Sequence, residues 1–348
     1  MIPYIKKGAL ELGHPFLTFL PNCTSAVVTE NLTGYYGLKI VYPIGAAGWD
    51  SFLAGREIYV KPRKMDNDQP FIIRRVKRTA GESVVVEAEH VSSDLANLIS
   101  GGYDATESDS FIDGLMSNAI GSLFTISCEY TENGEFHGTG KPYRTIKDLL
   151  FGKRDSFKTL YGGEAKFDGL SVNIKKARGS LKDFSIDFGV NMTNIVQTSD
   201  VRTFPTSVYP YYANSSTLVE LPSKVIYTSA EIFSEGYKTE IVNLTSKFSE
   251  VPTVEQLEAE ALKWISNNVS DGLPDNLKIQ FVDVSGRDSS TLDLGDYITV
   301  RHPEFNISAQ RKVISTTFDP ISERYTSIEV GDPIQSLPET LLNLIKGG

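Results

Sequence analysis

Cysteine is nearly absent: Cys23 and Cys128 are the only two in 348 residues, far apart and not in a CxxC pair. That excludes a disulfide scaffold and a cysteine-rich zinc module. The four histidines, His14, His90, His137 and His302, are scattered with no metal-ligand spacing. GxSxG, HExxH and the Walker A loop are all missing: Gly140-Lys141 continues into Pro142 and lacks the required upstream glycine. Positive charge is in deficit, 34 Lys plus Arg against 44 Asp plus Glu, a formal net charge of −10. Such a surface repels phosphate and weighs against gripping nucleic acid over a broad face. No apolar run approaches the ~20 residues that span a bilayer. The stretch after Lys6-Lys7 is broken by Glu11, His14 and Pro15 before Leu20, which a secretory signal tolerates poorly. The expectation is a soluble chain that folds in the cytoplasm.

What the sequence has in quantity is period-two alternation, the mark of half-buried strands. Leu38, Ile40 and Tyr42 share a face; so do Val84, Val86 and Ala88, then Phe184, Ile186 and Phe188, then Thr326, Ile328 and Val330. Helices are few. The best starts at Thr253, where Thr-Val-Glu-Gln forms a capping box ahead of Leu257, Ala261, Trp264 and Ile265 at helical spacing, and ends before Gly272 and Pro274. Others are expected after His90, with Ser92 or Ser93 as cap and Leu95 and Leu98 inward, over Thr145–Leu150, and from Pro338 to Ile345. No short internal repeat is visible. Blocks of strands interrupted by mixed segments read as two β-domains, each with a smaller inserted unit.

Candidate chemistry is sparse. His90 follows Glu89 and lies four residues before Asp94, a spacing that in an enzyme would orient an imidazole, but no nucleophile is near in sequence. Cys128 alternates with Phe124 and Ile126, as a buried, inert thiol does. Asp283, Asp288, Asp293 and Asp296 crowd around Ser285-Gly286-Arg287 without the spacing of a calcium loop and read as a solvated loop. Glu87 and Glu89 share a strand face but come from one strand, unlike a glycosidase pair. Arg74-Arg75-Val76-Lys77-Arg78 reads as a solvated strand edge or a contact to an acidic partner. No catalytic, cofactor-binding or metal-binding residue emerges.

Several motifs carry a family resemblance. Gln69-Pro70-Phe71-Ile72-Ile73, then Val84 through Leu95 with His90 and Asp94, resembles the "QPFRI" strand and strand-to-helix junction of tail proteins from phages of Gram-positive bacteria. The arginine of that motif is Ile72 here. Gly162-Gly163-Glu164-Ala165-Lys166-Phe167-Asp168, Lys175-Lys176-Ala177-Arg178-Gly179, Thr203 with Val208-Tyr209-Pro210-Tyr211, Asp293 through Pro303, and Glu323 through Asp332 follow in the family's order.

The resemblance implies the N-terminal module of tail-associated lysins, similar to the central hub of contractile tails and the base of type VI secretion spikes. Its implied fold is mainly β with a few helices: two related β-barrels, each with an inserted smaller α/β domain. The expected division is a first barrel at 1–90 plus 163–190, an insertion at 91–162, a second barrel at 191–215 plus 275–335, an insertion at 216–274 and a C-terminal helix at 336–348. The implied function is a structural, non-enzymatic baseplate hub at the virion tail tip of a siphophage or prophage. As a homotrimer it would cap the tail tube and open for genome ejection. Implied partners are the distal tail protein ring, the tail tube and the tape-measure protein; DNA passes through without specific binding, and no cofactor is needed. The alternatives are a tail-associated peptidoglycan endopeptidase and a receptor- or carbohydrate-binding tip protein.

Overall fold

The structure is a computed structural model and describes residues 2–6, 16–152, 154–199, 205–228, 238–269, 275–284 and 288–331. The chain is mainly β. Thirteen strands form one sheet. They are β1 (Tyr4–Lys6), β2 (Phe16–Phe19), β3 (Ser25–Asn31), β4 (Tyr36–Pro43), β5 (Glu57–Val60), β6 (Gln69–Arg78), β7 (Ser83–His90), β8 (Leu181–Asp187), β9 (Met192–Ser199), β10 (Asp275–Phe281), β11 (Tyr297–His302), β12 (Ile307–Asp319) and β13 (Arg324–Gly331). The hydrogen-bonded order is β9-β10-β13-β12-β3-β4-β7-β6-β5-β1-β2, with β11 between β12 and β8.

That order contains a repeat. β3-β4-β7-β6-β5 and β9-β10-β13-β12-β11 are the same five-stranded path, antiparallel at every step. The register agrees residue by residue. Leu38-Lys39-Ile40 on β4 corresponds to Leu277-Lys278-Ile279 on β10, facing Ala88, Glu87 and Val86 in one unit and Val330, Glu329 and Ile328 in the other. A register shift after Ile73 in β6 has its counterpart after Val313 in β12. The turn entering each third strand is built alike: Gly55 N–H donates to Ile73 O (2.9 Å) and Ile73 N–H to Arg56 O (2.8 Å), while Gly295 donates to Val313 O (2.8 Å) and Val313 to Asp296 O (2.7 Å). Both glycines have left-handed φ, +86° and +92°. A Cβ on Gly55 meets open space, whereas one on Gly295 lies 2.6 Å from the Arg178 Cβ. Gly55→Ala is therefore expected to cost only the left-handed strain, about 1 kcal/mol. Gly295→Ala should cost clearly more, because backbone must also move; chemical denaturation of both variants checks the order.

Four apolar cores follow from the alternation. One lies in the first unit around Tyr42, Phe52, Ile58 and Phe71, and one in the second around Ile186, Leu277, Ile298 and Phe318. A third fills the segment between β7 and β8, where Phe111 on α1 (Ser108–Ser117), Leu149 on α2 (Ile146–Phe151) and Phe157 on α3 (Phe157–Tyr161) meet Val172 and Ile174. The fourth joins α4 (Val254–Asn268), through Leu257, Ala261 and Ile265, to a four-stranded sheet carrying Val208, Tyr212 and Val242.

The strands expected at 38–42 and 83–90 form with Leu38, Ile40, Tyr42, Val84, Val86 and Ala88 buried. The Thr253 helix forms as α4, capped by the Thr253 and Gln256 side chains. The segment after His90 is a short 3-10 helix, Val91–Ala96, whose cap is His90 rather than Ser92 or Ser93. The helix expected over Thr145–Leu150 forms as α2, capped by the Thr145 side chain. The two boundaries drawn at 163–190 and 191–215 differ from the packing. Glu164–Asp168 and Ser171–Lys175 pair with each other and pack on the first insertion's core, because Val172 and Ile174 face Ile126 and Phe157 there. β8 pairs with β11 of the second unit, and Ser207–Ala213 is the central strand of the second insertion's sheet. Phe188, expected in line with Phe184 and Ile186, lies past the end of β8 and is exposed. The helix expected from Pro338 to Ile345, within 336–348, lies outside the described residues, as do Glu11, His14, Pro15, Gly272 and Pro274. Among the described residues no helix is long and apolar enough to cross a membrane.

Candidate functional site: a buried polar junction

Two polar clusters sit where the first insertion meets the two β-units, and each draws part of its residues from the motifs quoted above. The first is ionic. β3 alternates Ala26, Val28 and Glu30 inward, so Glu30 points a carboxylate into the interior and is only 4% exposed. Arg178, on the link from the insertion to β8 and 2% exposed, answers it. Its Nη1 donates to Glu30 Oε1 at 2.9 Å and to Ala165 O at 3.0 Å, and its Nη2 to Asp293 Oδ1 at 3.1 Å. Arg63, after β5, pairs through Nε with Asp66 at 2.6 Å and through Nη1 with Asp293. Lys166 reaches Asp293 Oδ2 at 2.8 Å. Glu164 accepts from the Arg178 backbone N–H at 2.7 Å and from Lys312 Nζ on β12 at 2.6 Å. The second unit's turn is set by Asp296, which accepts from Asp293 N–H at 2.7 Å and Ser180 N–H at 2.8 Å.

Charges this deep must be paired, since an isolated buried ion is costly. Burial pushes the Glu30 carboxyl up, but the Arg178 and Arg63 guanidiniums more than offset it and hold it below the usual carboxylate range. The same logic holds Arg63 protonated: burial works against it, and Glu30 and Asp66 override burial. Lys166 moves the other way, depressed by burial and then by Arg63.

The second cluster centres on His90, which is fully buried. Its Nε2 lies 3.2 Å from Gln69 Oε1, and its Nδ1 accepts from Ser92 N–H at 3.2 Å, beside the Ser92 hydroxyl at 2.9 Å. Gln69 is oriented by donating to Asp168 Oδ1 at 2.7 Å and by accepting from Gly169 N–H at 2.7 Å. With Gln69 Oε1 fixed as an acceptor, the imidazole proton belongs on Nε2. Tyr36 stacks on the ring at 4.4 Å, and Phe71 and Phe167 meet it at 5.6 and 6.3 Å. Burial drives the His90 pKa down to about 3, so the ring is neutral at physiological pH.

In this arrangement the charged groups and His90 are held by one another and by their neighbours. His90 does not meet Asp94, whose carboxylate is held by Arg74 and by Asn97 Nδ2 at 3.0 Å. Glu87 and Glu89 are paired with Arg75 and Arg74, each at 3.4 Å, and form no dyad. The Cys128 thiol, raised by burial, donates to Tyr130 O at 3.0 Å. The acidic run divides. Asp283 and Asp288 accept from the backbone of Ser289 and Ser290, whereas Asp293 and Asp296 belong to the junction; the solvated-loop reading fails for the latter pair because β11 and the link carrying Arg178 fold over them. Ser285, Gly286 and Arg287 lie outside the described residues. Among the described residues no three His, Cys, Asp or Glu side chains converge to hold a metal. Glu30, Arg63 and Lys312 were not singled out from the sequence; for Glu30 the signal was an acid on the apolar face of an alternating strand.

The proteins this chain is similar to are prophage tail proteins. Residues 181–340 match the family model described as prophage endopeptidase tail. The fold is shared over nearly full length with three solved tail proteins. Prophage tail protein gp18 of Listeria monocytogenes EGD-e is 13% identical with a TM-score of 0.60, covering 99% of each chain. The 43 kDa tail protein of prophage MuSo2 from Shewanella oneidensis is 13% identical with a TM-score of 0.63, covering 96% of this chain and 99% of that one. A tail protein from Neisseria meningitidis MC58 is 10% identical with a TM-score of 0.58, covering 95% of this chain and 96% of that one. No curated protein matches the chain significantly.

Proposed function

We propose that this chain is a structural baseplate hub at the tip of a phage or prophage tail, three copies forming a ring that caps the tail tube and opens for genome ejection. The observation that carries it is the repeat: one chain supplies two topologically equivalent five-stranded units joined through a single sheet. Three such chains present six similar modules, which suits a threefold ring seated on a sixfold tube. The distal tail ring, the tube and the tape-measure protein are its partners in this reading, and the virion tail tip its location. The junction supports a structural role, since its charges are spent on one another between the insertion and both units.

The word endopeptidase in the matched family's description points to a second reading. The matched stretch contains one histidine, His302, and no cysteine. His302 is buried between Phe188 at 4.5 Å and Phe305 at 4.6 Å, so a Cys–His mechanism has no components there. Purified chain incubated with bacterial cell walls is expected to release no new peptide or sugar ends; release abolished by His90→Ala or His302→Ala would establish the enzyme instead. Copy number and symmetry in assembled tails test the hub. Three copies with both units at one radius support it; six copies, or absence from tails, overturns it.

A further inference from the structure

The two units of one chain meet through a strand-to-strand seam. β12 is longer than β11: residues 307–312 pair with β11, and the protruding Ser315–Phe318 pair with Val28–Asn31 of β3. The first strand of one unit thus adds to the overhang of the other unit's fourth strand. β6 is the counterpart of β12 and has the same overhang. Residues 69–72 pair with β5, the register shift follows, and Arg75–Arg78 continue with β7 on one side and no strand on the other among the described residues. β9 is the counterpart of β3 and, among the described residues, is the last strand at its end of the sheet. One chain therefore carries both halves of the seam it already uses once.

We propose that β9 of a second copy adds to the Arg75–Arg78 overhang of β6, antiparallel, repeating the β3–β12 seam between chains. The proposal rests on the hub reading and names its ring contact. Superposing the registers sets Arg78 opposite Gln197, Lys77 opposite Thr198 and Val76 opposite Ser199, the equivalents of Phe318–Val28, Thr317–Thr29 and Thr316–Glu30. The burial of the formed seam shows what pairing does: Phe318 is 2% and Thr316 4% exposed, while Arg75, Lys77 and Arg78 are exposed and Val76 is half-buried.

The charge pattern selects the partner. A cationic edge strand ordinarily deters pairing. Here it deters two β6 edges from meeting each other, while β9, Met-Thr-Asn-Ile-Val-Gln-Thr-Ser, has no Lys or Arg to repel it. The contact is heterologous, so repetition generates a ring when the rotation closes.

The test is a disulfide across the seam. Directly paired strand residues sit about 4.5–5.5 Å apart at Cα, inside the range a disulfide accepts. Lys77 and Thr198 are both exposed, so the Lys77→Cys/Thr198→Cys chain should fold. Oxidised in assembled tails, it is expected to give a non-reducing ladder ending at the covalent trimer, with each variant that carries only one of the two introduced cysteines staying monomeric. Three copies per tail without cross-linking would overturn the seam and leave the hub reading standing; a chain missing from tails would overturn the hub reading and the seam with it. Amide exchange of the unsubstituted chain gives a second readout. Residues 75–78 and 196–199 should slow at least tenfold on assembly, and unchanged exchange there overturns the seam.

Discussion

Replacing Arg178 with alanine is expected to lower stability by about 3–5 kcal/mol, the cost of breaking a buried ion pair by removing one partner. The side chain is 2% exposed and serves Glu30, Asp293 and the Ala165 carbonyl at once. Its loss strands Glu30, which is 4% exposed and keeps only the Arg63 guanidinium at 3.9 Å. Asp293 suffers less, since Arg63 and Lys166 remain beside it. Arg178→Lys keeps the charge but not the two-pronged reach, so it should fall between wild type and alanine. Urea denaturation at pH 7 checks the series; a loss under 1 kcal/mol for alanine would mean that the junction relaxes around water. The effect has a pH signature. Glu30 has a folded-state pKa below its unfolded one, so its contribution is fully present above the ordinary carboxylate range and is lost as pH falls through the lowered value. In Arg178→Ala the Glu30 share of that acid sensitivity shrinks or reverses, because burial then dominates and favours the protonated acid.

How much of this was legible in the sequence depended on the range of the interaction. Alternation placed β4 and β7 well because their inward residues Leu38, Ile40, Val84 and Val86 need only a neighbouring face to bury. α4 was legible down to its cap, because Thr253 and Gln256 act on one turn. The repeat was not, since the equivalence survives as little more than Leu-Lys-Ile at 38 and 277 and Gly-x-x-Ile-x-Val at 55 and 295. The second insertion also sits between β9 and β10, while β3 and β4 are joined by a tight turn. The junction was half legible. Glu164, Arg178, Asp293 and Asp296 lay inside motifs quoted for the resemblance, but their partners are separated by as many as 148 residues, as in Arg178–Glu30 and Lys312–Glu164. Nothing local announces such a pairing. His90 drew attention as a possible catalyst because Asp94 is near in sequence; the strand-to-helix turn sends Asp94 to Arg74 and turns the ring inward to Gln69.

That inward turn makes the chain acid-sensitive well above the carboxylate range. His90 is neutral in the folded state down to a pKa of about 3, against about 6.5 when the chain is unfolded. Below pH 6.5 the unfolded chain binds a proton that the folded chain refuses, so stability rises with pH across this window and is lost as pH falls from 6.5 toward 3. At about 1.4 kcal/mol for each tenfold difference in proton affinity, the full loss approaches roughly 5 kcal/mol, of which about 2 kcal/mol is gone by pH 5. The cause is burial first, with Glu30 and Asp168 pulling weakly the other way. Protonation cannot be accommodated by a local shift, because Nδ1 already accepts from Ser92 N–H and Tyr36 covers one face of the ring. His90→Gln retains an amide donor for Gln69 Oε1 but nothing that titrates here. It is expected to be less stable than wild type at pH 7.5 through imperfect packing, yet to lose less on acidification, so that the two stability curves converge between pH 6.5 and pH 4.5. Denaturant midpoints at one-unit intervals measure both slopes, and parallel curves would show that the acid sensitivity lies elsewhere. Glu30 enters only in the carboxylate range, the lower part of this window, so the upper part of the curve belongs to His90.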